Sequence, residues 1–122
     1  MSEREANLEV DVEILDDRTA VLTVGGELDM DTAARLEDRL WQQLSLGRAR
    51  LVLELSALDF MDSSGLNVLI RAVNRARANG GDLYLAAPTP AVRRILEITG
   101  VTTMIPPHDG MAEALAAAGG SR

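Results

Sequence analysis

The sequence predicts an α/β fold: a mixed β-sheet that opens with an N-terminal β-hairpin and continues as β-α-β units, with helices packed on the sheet. Three observations point there. Apolar residues first alternate with acids, short apolar runs then interleave with segments of helical period, and Gly, Pro and Asp mark the changes between them. A length of 122 residues fits one ordinary domain over residues 1–122, with a core from about 8 to 117 and short flexible termini.

Leu8, Val10, Val12 and Ile14 alternate with acids, as a strand with one wet face does. "DDRT" (16–19) is turn chemistry, and "AVLTVGGEL" (20–28) reads as the hairpin partner, ended or bent at Gly25 and Gly26. In "DMDTAARLEDRLWQQLSLG" (29–47), Asp31 or Thr32 can cap a helix whose Ala33, Leu36, Leu40 and Leu44 share one face, with Gly47 as its stop. "ARLVLELSAL" (49–58) is nearly continuous in apolar residues, as expected of a central strand covered on both faces. A second helix follows, with Leu66, Leu69, Ile70 and Val73 inward, and ends at Gly80-Gly81. "DLYLAAP" (82–88) is a short buried strand, and "TPAVRRILEITG" (89–100) a helix with Pro in its first turn and a stop at Gly100. "VTTMIPP" (101–107) can supply a last strand, and "DGMAEALAAAGG" (109–120) an Ala-rich terminal helix before a fraying tail.

Composition narrows the chemistry. Apolar residues make up 47% of the chain and aromatics 2%, so Leu, Val, Ile and Ala must fill the core. The absence of cysteine removes disulfides, thiolate catalysis and Cys-based metal sites. The charged start "MSEREANLEV" is not a secretory signal, and no apolar run approaches the ~18 residues of a membrane span, so a cytoplasmic protein with no membrane association is expected. A net charge of −7 disfavours nucleic acid, which requires a basic face to displace counterions. Every cation except the lone His108 is an arginine, which removes the P-loop lysine, Schiff-base chemistry and a lysine-assisted phosphoacceptor aspartate.

The segment "FMDSSGL" (60–66) stands out at the strand-to-helix junction. One Asp or Ser suffices to cap a helix, for about 0.5–2 kcal/mol. Here Asp62, Ser63 and Ser64 stand together, and Gly65 leaves its position bare for the close approach of another surface. A hydroxyl at a helix start also suits a phosphate, because free N–H groups and the macrodipole favour an anion. Acyl-transfer chemistry is disfavoured: His108 is the one available base, in a loop, and no G-x-S-x-G elbow is present. Glu27, Asp29, Asp31, Asp59 and Asp62 read as turn and cap residues rather than as a metal site, and Arg71-Arg75-Arg77 and Arg93-Arg94 as solvated helix faces.

Together, "GELD" (26–29), "FMDSSGL" (60–66), the Gly80-Gly81 helix end and "AVRRILEITG" (91–100) resemble the bacterial anti-sigma factor antagonists, which are single STAS domains. The likeness runs from about Leu8 to Met111. It implies a STAS-like mixed sheet and a partner switch without cofactor or metal. The unmodified antagonist binds an anti-sigma factor with serine kinase activity and so frees the sigma factor. Phosphorylation of the first serine, here Ser63 with Ser64 as the alternative acceptor, ends binding, and a PP2C-type serine phosphatase restores it. The implied partner surface comprises Asp29, Asp62, Ser63, Ser64, Gly65, Asn67 and Arg71, on a monomer or weak dimer. A phosphate of nearly −2 about 6 Å from a partner carboxylate, at an effective dielectric of about 30, costs roughly 3–4 kcal/mol. The alternative is a STAS scaffold or a small-molecule or nucleotide sensor in another signalling or transport system.

Overall fold

A computed structural model describes residues 7–119. Residues 1–6 and 120–122, which include most of the charged N-terminal stretch and the expected tail, lie outside the described residues. Five strands lie in the order β1-β2-β3-β4-β5. β1 (Leu8–Asp16) pairs antiparallel with β2 (Thr19–Leu28), so the hairpin forms as the alternation predicts. β3 (Arg50–Met61), β4 (Asp82–Ala86) and β5 (Pro107–His108) add in parallel, each against its predecessor in the sheet. At the hairpin turn the Arg18 N–H donates to Asp16 Oδ1 at 2.9 Å. That bond, with help from the Thr19 hydroxyl, holds the exposed Asp16 carboxyl below the ordinary carboxylate range.

The period of two in β3 divides the interior. Leu51, Leu53 and Leu55 join Leu36 and Leu40 of α1 (Ala33–Ser45), Leu66 and Leu69 of α2 (Ser63–Ala78), and Val92 and Leu96 of α3 (Pro90–Ile98) in the main core. Val52 faces the other way, where Val21 and Ala86 meet Ala114 and Ala118 of α5 (Met111–Gly119). The two-sided burial expected of the central strand is therefore found, with helices on both faces.

Several boundaries differ from expectation. β3 continues through Phe60 and Met61 instead of ending at 58, which carries the strand up to the serines. β2, by contrast, keeps its expected end at Leu28 and bends at Gly25-Gly26, with its register against β3 slipping on either side of the pair. Gly26 has φ +104°, and a Cβ there would collide with the Asn7 carbonyl, whose oxygen accepts the Glu27 N–H at 2.8 Å. The segment 101–107 is mostly not a strand: Val101–Met104 forms a short α4, and only Pro107–His108 pairs with β4. Buried Val101 and Ile105, one helical turn apart, explain the change, because packing overrides the β-propensity of Val and Thr. His108 is thus a strand residue, not a loop residue, and its carbonyl accepts the Ala87 N–H at 2.8 Å.

The arginines on α2 are not simply solvated either. Arg71 Nε lies 2.7 Å from Glu37 Oε2, and the Arg75 guanidinium stacks 4.6 Å from the Trp41 ring centre, so both fasten α2 to α1. Arg77 pairs with Asp82 at 2.9 Å and donates to the Met104 carbonyl at 2.8 Å. Arg93 reaches Asp109 at 3.1 Å. Exposed pairs of this kind contribute about 0–1 kcal/mol each, so they set orientation more than stability.

Candidate functional site

Parallel strands deliver their loops, and the N-termini of the following helices, to one end of the sheet. Here β2 feeds α1 through residues 29–32, and β3 feeds α2 through Asp62. Leu28 and Met61 are register partners at the strand tips, and the Asp62 N–H donates to the Leu28 carbonyl at 3.1 Å. The two loops that carry "GELD" and "DSSG" are thereby fixed side by side.

Asp62 is the N-cap of α2: its extended backbone turns the chain, and its Oδ1 accepts the Ser64 N–H at 2.8 Å. One residue does the capping, so neither serine is needed for it. Ser63 is exposed in the first turn and Ser64 half-buried, and no described residue hydrogen-bonds either side-chain hydroxyl. Asn67 and Arg71 follow Ser63 at intervals of four on the exposed stripe of the helix. Arg71 belongs to that stripe while its guanidinium is engaged with Glu37.

Gly65 corrects the sequence reading. It is buried, and a Cβ there would lie 2.8 Å from Leu28 Cγ and 2.8 Å from Met61 Cγ. The surface that approaches it is the chain's own pair of strand tips, not a partner. Its bareness lets α2 start directly on the sheet, which sets where Ser63 projects.

The Asp29 loop also differs in detail. Neither Asp31 nor Thr32 caps α1 with its side chain. Asp29 Oδ1 accepts the Asp31 N–H at 2.9 Å and the Thr32 N–H at 3.2 Å. Thr32 is 3% exposed; its hydroxyl donates to the Glu27 carbonyl at 2.8 Å and accepts the Asp29 N–H at 3.0 Å. Asp29 therefore shapes the loop, and Thr32 pins it. The Asp-x-x-Thr spacing was the available signal, but how these polar groups divide the loop's hydrogen bonds depends on where β2 ends. Thr32→Val keeps the shape and strands the Asp29 N–H and Glu27 carbonyl. Chemical denaturation should show a loss of about 1–3 kcal/mol.

On the neighbouring loop, Thr89 caps α3 through Val92 N–H at 3.3 Å and donates to the Leu58 carbonyl at 3.0 Å. Sequence reasoning missed it, although Thr followed by Pro at the first helical position is a cap signature. Among the described residues no cluster of three or more His, Asp or Glu could hold a metal ion, and no helix is long and apolar enough to cross a membrane.

The STAS domain profile matches residues 9–114. BtrV of Bordetella bronchiseptica, whose name assigns it provisionally to the anti-sigma factor antagonists, is 32% identical over 101 residues, which cover 83% of this chain and 87% of BtrV. The crystal structure of an anti-sigma factor antagonist from Mycobacterium paratuberculosis superposes with a TM-score of 0.82 at 31% identity, over 91% of this chain and 93% of that one. SpoIIAA of Bacillus in its unphosphorylated form, with a TM-score of 0.80 at 22% identity over 93% of this chain and 99% of its own, shares the fold. A hairpin-led mixed sheet, a capped serine pair at the start of α2 and these likenesses agree: the chain belongs to the STAS domain family, in its anti-sigma factor antagonist branch.

Proposed function

We propose that this chain is an anti-sigma factor antagonist whose binding is controlled by phosphorylation of Ser63. Unmodified, it binds an anti-sigma factor that is also a serine kinase, and the sigma factor is released. Once Ser63 is phosphorylated the complex dissociates, and a PP2C-type serine phosphatase resets the chain. It acts by binding and performs no chemistry of its own.

The observation that carries this reading is the division of labour at the start of α2. Asp62 supplies the cap, which leaves the Ser63 hydroxyl exposed and uncommitted. Free N–H groups of the first turn lie beside it, so a phosphate is tolerated locally without refolding. Asp29, Asp62, Ser63, Ser64, Asn67 and Arg71 make up the partner face, with Gly65 acting through the seating of α2. A kinase that removes the Ser63 proton brings a general-base carboxylate to the hydroxyl. The product phosphate then sits against that carboxylate, and repulsion expels the modified chain.

The direct test is phosphosite mapping after incubation with Mg-ATP and an extract of the host, beside a Ser63→Ala control. Cleavage at arginine yields Leu51–Arg71, which holds Ser56, Ser63 and Ser64 in one peptide for fragment sequencing. Phosphate on Ser63, absent from the control, is the expected result. Phosphate on Ser64 would move the acceptor by one residue. None at all, with an active kinase demonstrated in the extract, would remove the switch.

A further inference from the structure

The core of this protein is built from Leu, Val and Ala, yet two large apolar side chains stand exposed at the end of the sheet from which Ser63 projects. Met30 is 74% exposed and Phe60, the single phenylalanine, 47%. Both flank the Leu28–Met61 rung from which Ser63 projects: Met30 lies two residues beyond Leu28, Phe60 directly precedes Met61, and Ser63 lies two residues beyond Met61. Among the described residues the remaining large exposed apolar ones are Ile14, Leu15, Leu46 and Ile98. They lie at the hairpin turn or at the ends of α1 and α3, toward the opposite end of the strands.

Their presentation is also rigid. Met30 sits inside the turn that Asp29 and Thr32 hold by backbone and side-chain hydrogen bonds. Phe60 belongs to β3, paired with Glu27 of β2. Exposing apolar side chains on fixed backbone lowers the entropy lost on association. Met and aromatic residues are also the types enriched at the buried centres of protein interfaces, with charges at the rim.

We propose that Met30 and Phe60 are the apolar anchors by which this chain seats on its kinase, so that affinity resides in these two residues and control in Ser63. The inference rests on the reading of Ser63 as the switch. The exposed carboxylates Asp31 and Asp59 adjoin the two anchors in sequence. The complementary partner face is therefore an apolar pocket edged by cationic side chains, distinct from the base that approaches the Ser63 hydroxyl. Phosphorylation acts at the same end of the sheet, where a group too large and too charged for the contact lifts both anchors out of their pocket together.

The test is calorimetric titration of the purified kinase, the one that phosphorylates Ser63 in the mapping experiment, with unmodified variants of the full chain. Met30→Ala and Phe60→Ala should each weaken binding at least about tenfold, and Met30→Leu should retain most of the affinity. Leu46→Ala and Ile98→Ala, which shorten exposed apolar residues elsewhere, should stay within about twofold of wild type. Circular dichroism should be unchanged in all of them and the melting temperature nearly so, with a small drop only for the half-buried strand residue Phe60, since none of these side chains belongs to the core. A Met30→Ala/Phe60→Ala double variant that binds within about threefold of wild type would overturn the proposal. Ser63→Asp in the same series separates the two ideas. If it loses binding while the double variant does not, the anchors are wrong and the switch stands. If it binds like wild type, the switch is wrong and the anchors are judged by their own variants.

Discussion

Ser63→Asp should weaken binding to the kinase about twentyfold, while Ser63→Ala should bind as tightly as the unmodified chain and remain bound in the presence of ATP. The size follows from charge. One negative charge about 6 Å from a partner carboxylate, at an effective dielectric of about 30, costs roughly 1.8 kcal/mol. The phosphate, with nearly twice the charge, costs roughly 3–4 kcal/mol, which is two to three orders of magnitude in affinity. Stability should move differently. An acid in the first turn of α2 interacts favourably with the helix dipole, by about 0.3–1 kcal/mol, so Ser63→Asp should melt at or slightly above the wild-type temperature. Titration calorimetry and thermal unfolding on the same samples check both halves. Loss of binding together with loss of stability would mean that the variant disturbs the fold rather than the interface. Unchanged binding in both variants would show that Ser63 is not the switch.

That separation is possible because the fold does not depend on the serines. The strand tips are joined by the Asp62 N–H to the Leu28 carbonyl, the helix is capped by Asp62, and the adjacent loop is pinned by Thr32. Each of these bonds lies beneath or beside Ser63 and none uses its hydroxyl. A charge can be added at the surface while the frame that presents it stays in place.

Much of this was legible in the sequence because it is local. The alternation of Leu8, Val10, Val12 and Ile14 set β1, although the inward row becomes exposed toward the turn, where Ile14 is 46% exposed. The three-and-four spacing of α1 and α2 predicted which leucines are buried, and "DSSG" at a strand-to-helix junction located the candidate site. What was not legible is what distant segments decide. Val101–Met104 carries β-branched residues and became helix because Val101 and Ile105 pack into the main core. Asp31 and Thr32 are interchangeable as caps in the sequence, yet neither side chain caps α1, because the end of β2 places Asp29 and Thr32 to brace the loop instead. Arg71 and Arg75 look like a wet face until Glu37 and Trp41 arrive from α1.

Gly65 is the sharpest case, and its contact with Leu28 yields the largest stability effects expected near the site. Leu28 is fully buried at the tip of β2, so Leu28→Ala should destabilise the fold by about 2–5 kcal/mol through lost transfer energy and the cavity left behind. Gly65→Ala should also destabilise, by about 1–3 kcal/mol. Its Cβ would lie 2.8 Å from the branch carbon of Leu28 and 2.8 Å from Met61 Cγ, neither of which is the free end of its side chain, and that strain exceeds the gain in helix propensity. The two changes should not add. Shortening Leu28 removes one of the two obstacles, and the new methyl at 65 fills part of the vacated space. The double variant should therefore be more stable than the sum of the single losses predicts, by about 0.5–3 kcal/mol in a denaturant double-mutant cycle. Additive losses would mean that Gly65 is required for something other than contact with Leu28. A positive coupling would establish that the glycine of "DSSG" serves the junction of α2 with the strand tips, the seat from which Ser63 is presented.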